Sequence, residues 1–136
     1  MLQTRELFQS LAARADHLDN RTLAATADAL ATCEQAVTAC AVGMIAEKEA
    51  DELRLAVNRD LDCADVVSAT RRVLTRGTDA DHALLARQLE ACATACERSH
   101  DACERHATRH EHCRICSHAT GRAAAACRET LEILRS

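Results

Sequence analysis

Between Cys92 and Cys116 the chain reads CATACERSHDACERHATRHEHCRIC, five thiols and four imidazoles within twenty-five residues. Thiolates are soft ligands that select Cu(I), zinc or iron–sulfur clusters, and imidazole suits copper and zinc. Four further cysteines, Cys33, Cys40, Cys63 and Cys127, bring the total to nine. On a wheel of about 100° per residue, Cys92, Cys96 and Cys103 fall within about 40° of one another, and Cys113, Cys116 and Cys127 within about 60°. Ser99, His106, Leu85 and Leu89 extend the first of these faces; Thr120, Leu131 and Leu134 extend the second. Cys33 and Cys40 share a face with Val37 and Met44, and Cys63 shares one with Ala56, Val67, Thr70 and Leu74. The thiols stand where a helix normally carries its hydrophobic stripe.

Free cysteine packs as a small hydrophobe, so one or two inward thiols would carry no message. Nine on four helices are different, because Ala or Val would fill the space without risk of oxidation. A zinc site would converge four ligands once, from paired knuckles, yet Cys113-x-x-Cys116 is the only C-x-x-C and lies within a helical stretch. Iron–sulfur spacing such as C-x₂-C-x₂-C is absent. Thiols spaced lengthwise suit several ions held by neighbouring sulfurs. Cu(I) also offsets the cost of burying thiolates one charge at a time. The predicted ligands are therefore Cys33, Cys40, Cys63, Cys92, Cys96, Cys103, Cys113, Cys116 and Cys127. His106, His112 and Met44 are expected at the open end, where they could admit copper and pass it on. His110 and His100 stay open as ligands; His17 and His82 read as surface residues. Glu97-x-x-His100 matches one half of a di-iron motif, but no second half exists and Glu97 faces away from the thiols. Arg59 and Asp60 flank the Cys63 face and read as an ion pair or an interface.

The elements that must hold these residues are helices. The chain has no proline and three glycines, and alanine is its commonest residue; with good helix formers elsewhere, an all-α fold follows. A leader is expected over about 4–17, and long helices over about 20–46, 51–76, 79–106 and 109–134. Asn20 is read as the first N-cap, Gly77 as a C-terminal stop, and Thr78-Asp-Ala-Asp81 and Thr108-Arg-His-Glu111 as capping boxes. Without a break at AEKEAD one helix would reach roughly 85 Å, too long for a compact domain. The result is a single up-down-up-down four-helix bundle with a short leader helix.

Composition narrows the function further. The net charge is −4 and the only aromatic residue is Phe8, which argues against a nucleic-acid surface. No apolar run approaches the ~20 residues of a membrane span, and MLQTRELFQSLAARADHLDN contains no signal-peptide core. A cytoplasmic location is expected, where thiols stay reduced and serve metals before disulfides.

Read together, CATAC at 92–96, Cys103-Glu-Arg-His106 and His112-Cys113-Arg-Ile-Cys116 resemble the copper storage proteins, cysteine-rich four-helix bundles. LDCADVV around Cys63 and CEQAVTAC from Cys33 extend the likeness. The resemblance implies a cytosolic protein that stores or buffers many Cu(I) ions along its core and assembles as a homo-tetramer, supplied by a copper chaperone or chelator. Ser99, Thr120 and Ala123, with Val66 as another such position, stand where that pattern would place cysteine, which implies lower capacity. This depletion leaves an alternative: an enzyme using one Cys/His copper site for redox chemistry on a small molecule. A third reading is a helical interaction protein whose thiols bind no metal.

Overall fold

The computed structural model describes residues 2–10, 18–77 and 80–136. Five α-helices follow one another: α1 (Leu2–Ser10), α2 (Asn20–Ile45), α3 (Arg54–Thr75), α4 (His82–Glu104) and α5 (Glu111–Arg135), with a short 3₁₀ turn at Ala50–Leu53 leading into α3. The fold is all-α. The expected leader extends beyond α1 into residues 11–17, which lie outside the described residues.

Local chemistry sets the helix ends, and at two of them it differs from the expectation. Asp19 caps α2, not Asn20: its Oδ1 accepts from the Thr22 amide at 2.7 Å, putting a carboxylate against the positive end of the helix. At α4 the cap is Asp81, whose Oδ1 accepts from the Leu84 amide at 3.1 Å. The expected start at Thr78 falls outside the described residues. Thr108 does not open α5, because the backbone after Glu104 continues through turns: the His106 amide reaches Cys103 O at 2.9 Å and the His110 amide reaches His106 O at 3.0 Å. Thr108 sits inside that series, and the helix begins at Glu111 after His110 in an extended conformation. Gly77 takes φ 65° beyond α3, the left-handed conformation in which glycine avoids a Cβ clash.

Packing joins α2 to α3 and α5, and α4 to α3 and α5, so the long helices form a closed antiparallel ring. The α1 helix lies against α2, with Phe8 buried and the Thr4 hydroxyl donating to Asp28 Oδ1 at 2.8 Å. The interior changes character along the axis. Leu23, Leu30, Leu74, Leu85 and Leu89 fill the base, and burying each stabilises the fold by roughly 1.5–3 kcal/mol. Toward the turn between α4 and α5, sulfur replaces leucine on the same faces.

Candidate metal centre

All nine cysteines are free and buried. They reach the axis because each occupies the core stripe of its helix: Cys33 and Cys40 on α2, Cys63 on α3, Cys92, Cys96 and Cys103 on α4, and Cys113, Cys116 and Cys127 on α5. Their contacts divide them into a deep group and a mouth group.

In the deep group, Cys33, Cys63 and Cys96 form a triangle of sulfurs with sides of 3.8, 4.0 and 3.7 Å. Three thiolates around one ion at a metal–sulfur distance of about 2.3 Å stand about 3.7–4.0 Å apart. The triangle could therefore close on a soft cation without moving a helix. Cys92 and Cys127, both fully buried on the same stripes, extend the sulfur lining toward the leucine base.

The mouth group mixes donors. Cys103 and Cys116 sulfurs are 3.5 Å apart, and Cys40 and Cys113 are 3.9 Å apart. Cys40, Cys103, Cys116 and Asp60 present ligand atoms within 4.8 Å of one another. Asp60 Oδ1 accepts from Ser99 at 2.7 Å, Cys103 at 3.3 Å and Cys116 at 3.4 Å. At the rim, His112 Nδ1 lies 3.5 Å from both Cys40 Sγ and Cys113 Sγ. Its ring rests against α2 at Gly43, where an added Cβ would come within 3.1 Å of the imidazole. A side chain at this position would crowd the ring and make it shift by a few tenths of an ångström.

Electrostatics prepares both groups for a cation. Cys33 is pulled below the ordinary thiol range by hydrogen bonds from Cys63 and Cys96, Cys92 by those from Cys127 and Cys96, and Cys103 by those from Cys116 and Cys40. Cys63, Cys96, Cys116, Cys127 and Cys40 are pushed upward, chiefly by hydrogen bonding to neighbouring sulfurs. Cys113 is raised to about 11, mainly by burial. Each group therefore holds thiolate character that neighbouring S–H protons stabilise, and bound metal would replace those protons. Asp60 is fully buried and raised to about 7 by burial and then by Cys103. Its Oδ2 is buried without a hydrogen-bond partner, which leaves an oxygen of this carboxyl group free for a ligand.

The remaining expected positions divide. Met44 is buried one turn beyond Cys40. His106 is half-buried at the α4 end, its Nδ1 3.3 Å from the Arg109 guanidinium, and it joins none of the close donor groups among the described residues. His100 is engaged elsewhere, Nδ1 donating to the Ser117 carbonyl at 2.7 Å. Glu97 pairs with Arg128 on the outer surface at 2.7 Å, away from the sulfurs. Among the positions where cysteine was expected, Ser99, Thr120 and Ala123 are buried in the core. Ser99 serves Asp60, and the Thr120 hydroxyl donates to carbonyls of its own helix, at 2.8 Å to Cys116 and 3.1 Å to Ser117. Val66 is only half-buried and packs against the core from its edge.

Asp60 and Gly43 were missed as site residues. A signal for Asp60 existed: it lies three residues before Cys63 and four after Ala56, on the same stripe. A charge there reads as an edge residue unless buried donors await it. For Gly43 the imidazole that needs the space is 69 residues away in sequence.

Comparison with known proteins agrees with this geometry. The family model described as copper storage protein matches residues 19–132. A solved structure of the copper storage protein from Streptomyces lividans, loaded with 10 copper equivalents, is 37% identical and superposes with a TM-score of 0.91, covering 95% of this chain and 98% of that one. A histidine-to-alanine variant of the Streptomyces lividans protein is 39% identical over 87% of this chain and 98% of its own, with a TM-score of 0.84. A cytosolic copper storage protein from the same organism, carrying five coppers, is 40% identical over 82% of this chain and 93% of its own, with a TM-score of 0.80. Comparison with curated proteins gave no match.

Proposed function

This chain belongs to the copper storage protein family, and on that footing we propose that it sequesters and buffers Cu(I) in the cytosol through the sulfur column of its bundle. Cys33, Cys63, Cys92, Cys96 and Cys127 hold the deep ions; Cys40, Cys103, Cys113 and Cys116 hold those at the mouth. Asp60 supplies an oxygen donor beside Cys103 and Cys116, and His112 passes ions between the rim and Cys40 or Cys113. Met44 and His106 complete the soft and imidazole donors at that end. One observation carries the reading: nine reduced, buried thiols lie in two adjoining groups instead of one isolated Cys/His site. Two clusters of thiols suit storage of several ions, whereas single-site redox catalysis would need one distinct centre.

Copper reaches the mouth from a chaperone or small chelator, and the chain assembles as a homo-tetramer. A groove between α2 and α5, in which small alanines and the half-exposed Ile115 alternate with Asp28, Thr32, His118 and Arg122, supports helix-to-helix assembly. No helix among the described residues is long and apolar enough to cross a membrane.

The test is anaerobic titration of the reduced chain with Cu(I) against a competing chelator. Several tightly held ions per chain are expected. One weakly held ion, or none, would overturn storage; a single tight ion with oxygen-dependent turnover would favour the enzyme reading.

A further inference from the structure

Beyond the sulfur column, the turn after α2 and the start of α5 bring together donors of a different kind. Glu47 Oε1 lies 3.4 Å from His110 Nδ1 and 3.1 Å from His112 Nε2, and the three ligand atoms all fall within 4.8 Å of one another. Around a tetrahedral divalent ion bound at about 2.0–2.1 Å, nitrogen and oxygen ligands stand about 3.3–3.4 Å apart. Two edges of such a sphere are thus already formed. The two rings stack with centroids 5.3 Å apart and 15° between their planes, so both present an edge to Glu47.

A second observation sets this cluster apart from ordinary surface ion pairing. The His110 side chain is only 8% exposed. Its Nε2 lies 2.9 Å from Glu49 Oε1 but is not aligned as a hydrogen bond and has no other partner. A carboxylate behind the far nitrogen is the arrangement that fixes the ring of a metal-bound histidine. Rotation onto an ion at Nδ1 would align Nε2–H with Glu49 and satisfy the buried nitrogen.

The donor set decides which ion. Two imidazoles and a carboxylate are harder than thiolates and suit zinc or another borderline divalent cation over Cu(I). We infer that Glu47, His110 and His112, with Glu49 behind His110, form a site for one divalent cation of the zinc class, outside the thiolate column. His112 stands between the two regions: Nε2 faces this site while Nδ1 faces the sulfurs of Cys40 and Cys113. An ion held there ties the end of α2 to the start of α5 across the mouth.

The experiment uses the full chain with its thiols first filled by Cu(I) under anaerobic conditions, then exposed to Zn(II), desalted and analysed for both metals. Wild type is expected to retain one zinc per chain beyond its copper. Cobalt(II) in place of zinc should give visible d–d bands without a sulfur-to-cobalt charge-transfer band. Glu47→Gln and Glu49→Gln, nearly isosteric changes in half-exposed side chains, should each weaken zinc retention at least tenfold and leave copper per chain unchanged. No retained zinc in wild type, equal retention in Glu47→Gln, or a thiolate charge-transfer band would overturn the site. Copper per chain in the same sample reports separately on storage, while the contrast between wild type and Glu47→Gln reports on this site whatever that count is.

Discussion

The two halves of this bundle use the same four helix faces, yet one half is filled with leucine and the other with sulfur. On α2 the inward positions run Leu23, Leu30, Cys33, Val37, Cys40, Met44; on α4 they run Leu85, Leu89, Cys92, Cys96, Ser99, Cys103. Burial is nearly complete in both halves, so burial does not distinguish them. Chemistry does. The buried carboxylate of Asp60 and the rim imidazole of His112 contact sulfurs at the mouth end, while the base is mostly hydrocarbon, its buried Thr26 and Thr130 bonded to each other. The base holds the helices together, and the mouth half gives up some of that cohesion to keep donors in reach of cargo.

The largest effect should come from cutting into the base. Leu30→Ala or Leu89→Ala should cost the copper-free protein about 2–5 kcal/mol in chemical denaturation. Cys96→Ala, which removes one sulfur from an equally buried position, should cost only about 1 kcal/mol. Equal losses would show that the sulfur half also carries the fold.

Copper handling should divide in the opposite sense. Replacing Cys33, Cys63 and Cys96 together by Ser should lower copper capacity while leaving the initial loading rate near wild type in a stopped-flow assay. Replacing Cys40, Cys103 and Cys116 by Ser should lower capacity and also slow filling of the deep group. If both triple variants load at the same initial rate, the mouth is not the route to the deep group.

A third contrast is pH. Asp60 in the copper-free fold titrates at about 7 against an ordinary 3.8, so between those values the folded chain keeps a proton that the unfolded chain has released. The contribution of Asp60 to stability is therefore fully present below about pH 4 and is lost as pH rises through 7, by at most about 4 kcal/mol. Asp60→Asn should flatten that slope in denaturation curves taken across the window; an unchanged slope would mean that other groups set it.

The smallest effect belongs to Gly43→Ala. The new methyl group would meet the His112 ring at 3.1 Å and displace it from Cys40. Loading should slow a few-fold while thermal stability moves little. Wild-type loading kinetics in this variant would remove His112 from the path.

How much of this could be read without coordinates differs along the same divide. The sulfur stripe was legible because helical periodicity places Cys92, Cys96 and Cys103 on one face whatever surrounds them. Helix ends were less so: Asp19 caps where Asn20 was expected, since neighbouring residues of similar capping power compete and backbone geometry chooses. Thr108 followed by Glu111 satisfied a capping pattern, but the turn continuing from Glu104 absorbed it. Asp60 flanks the visible stripe and reads with Arg59 as an ion pair or an interface; only the hydroxyl of Ser99 and the thiols of Cys103 and Cys116, all from other helices, make its burial tolerable. The contacts of His112 with Glu47, and of His110 with Glu49, depend on how a turn folds over the end of another helix, which no periodicity encodes.

The central claim is that sulfurs from four helices form one Cu(I)-holding column. X-ray data collected on the loaded crystal at the copper absorption edge test it most directly. The account predicts several copper peaks along the bundle axis, each within bonding distance of sulfurs from at least two helices and reaching as deep as Cys33, Cys63 and Cys96. Copper confined to the outer surface, or an axis empty of metal with its sulfurs joined in disulfides, would contradict it.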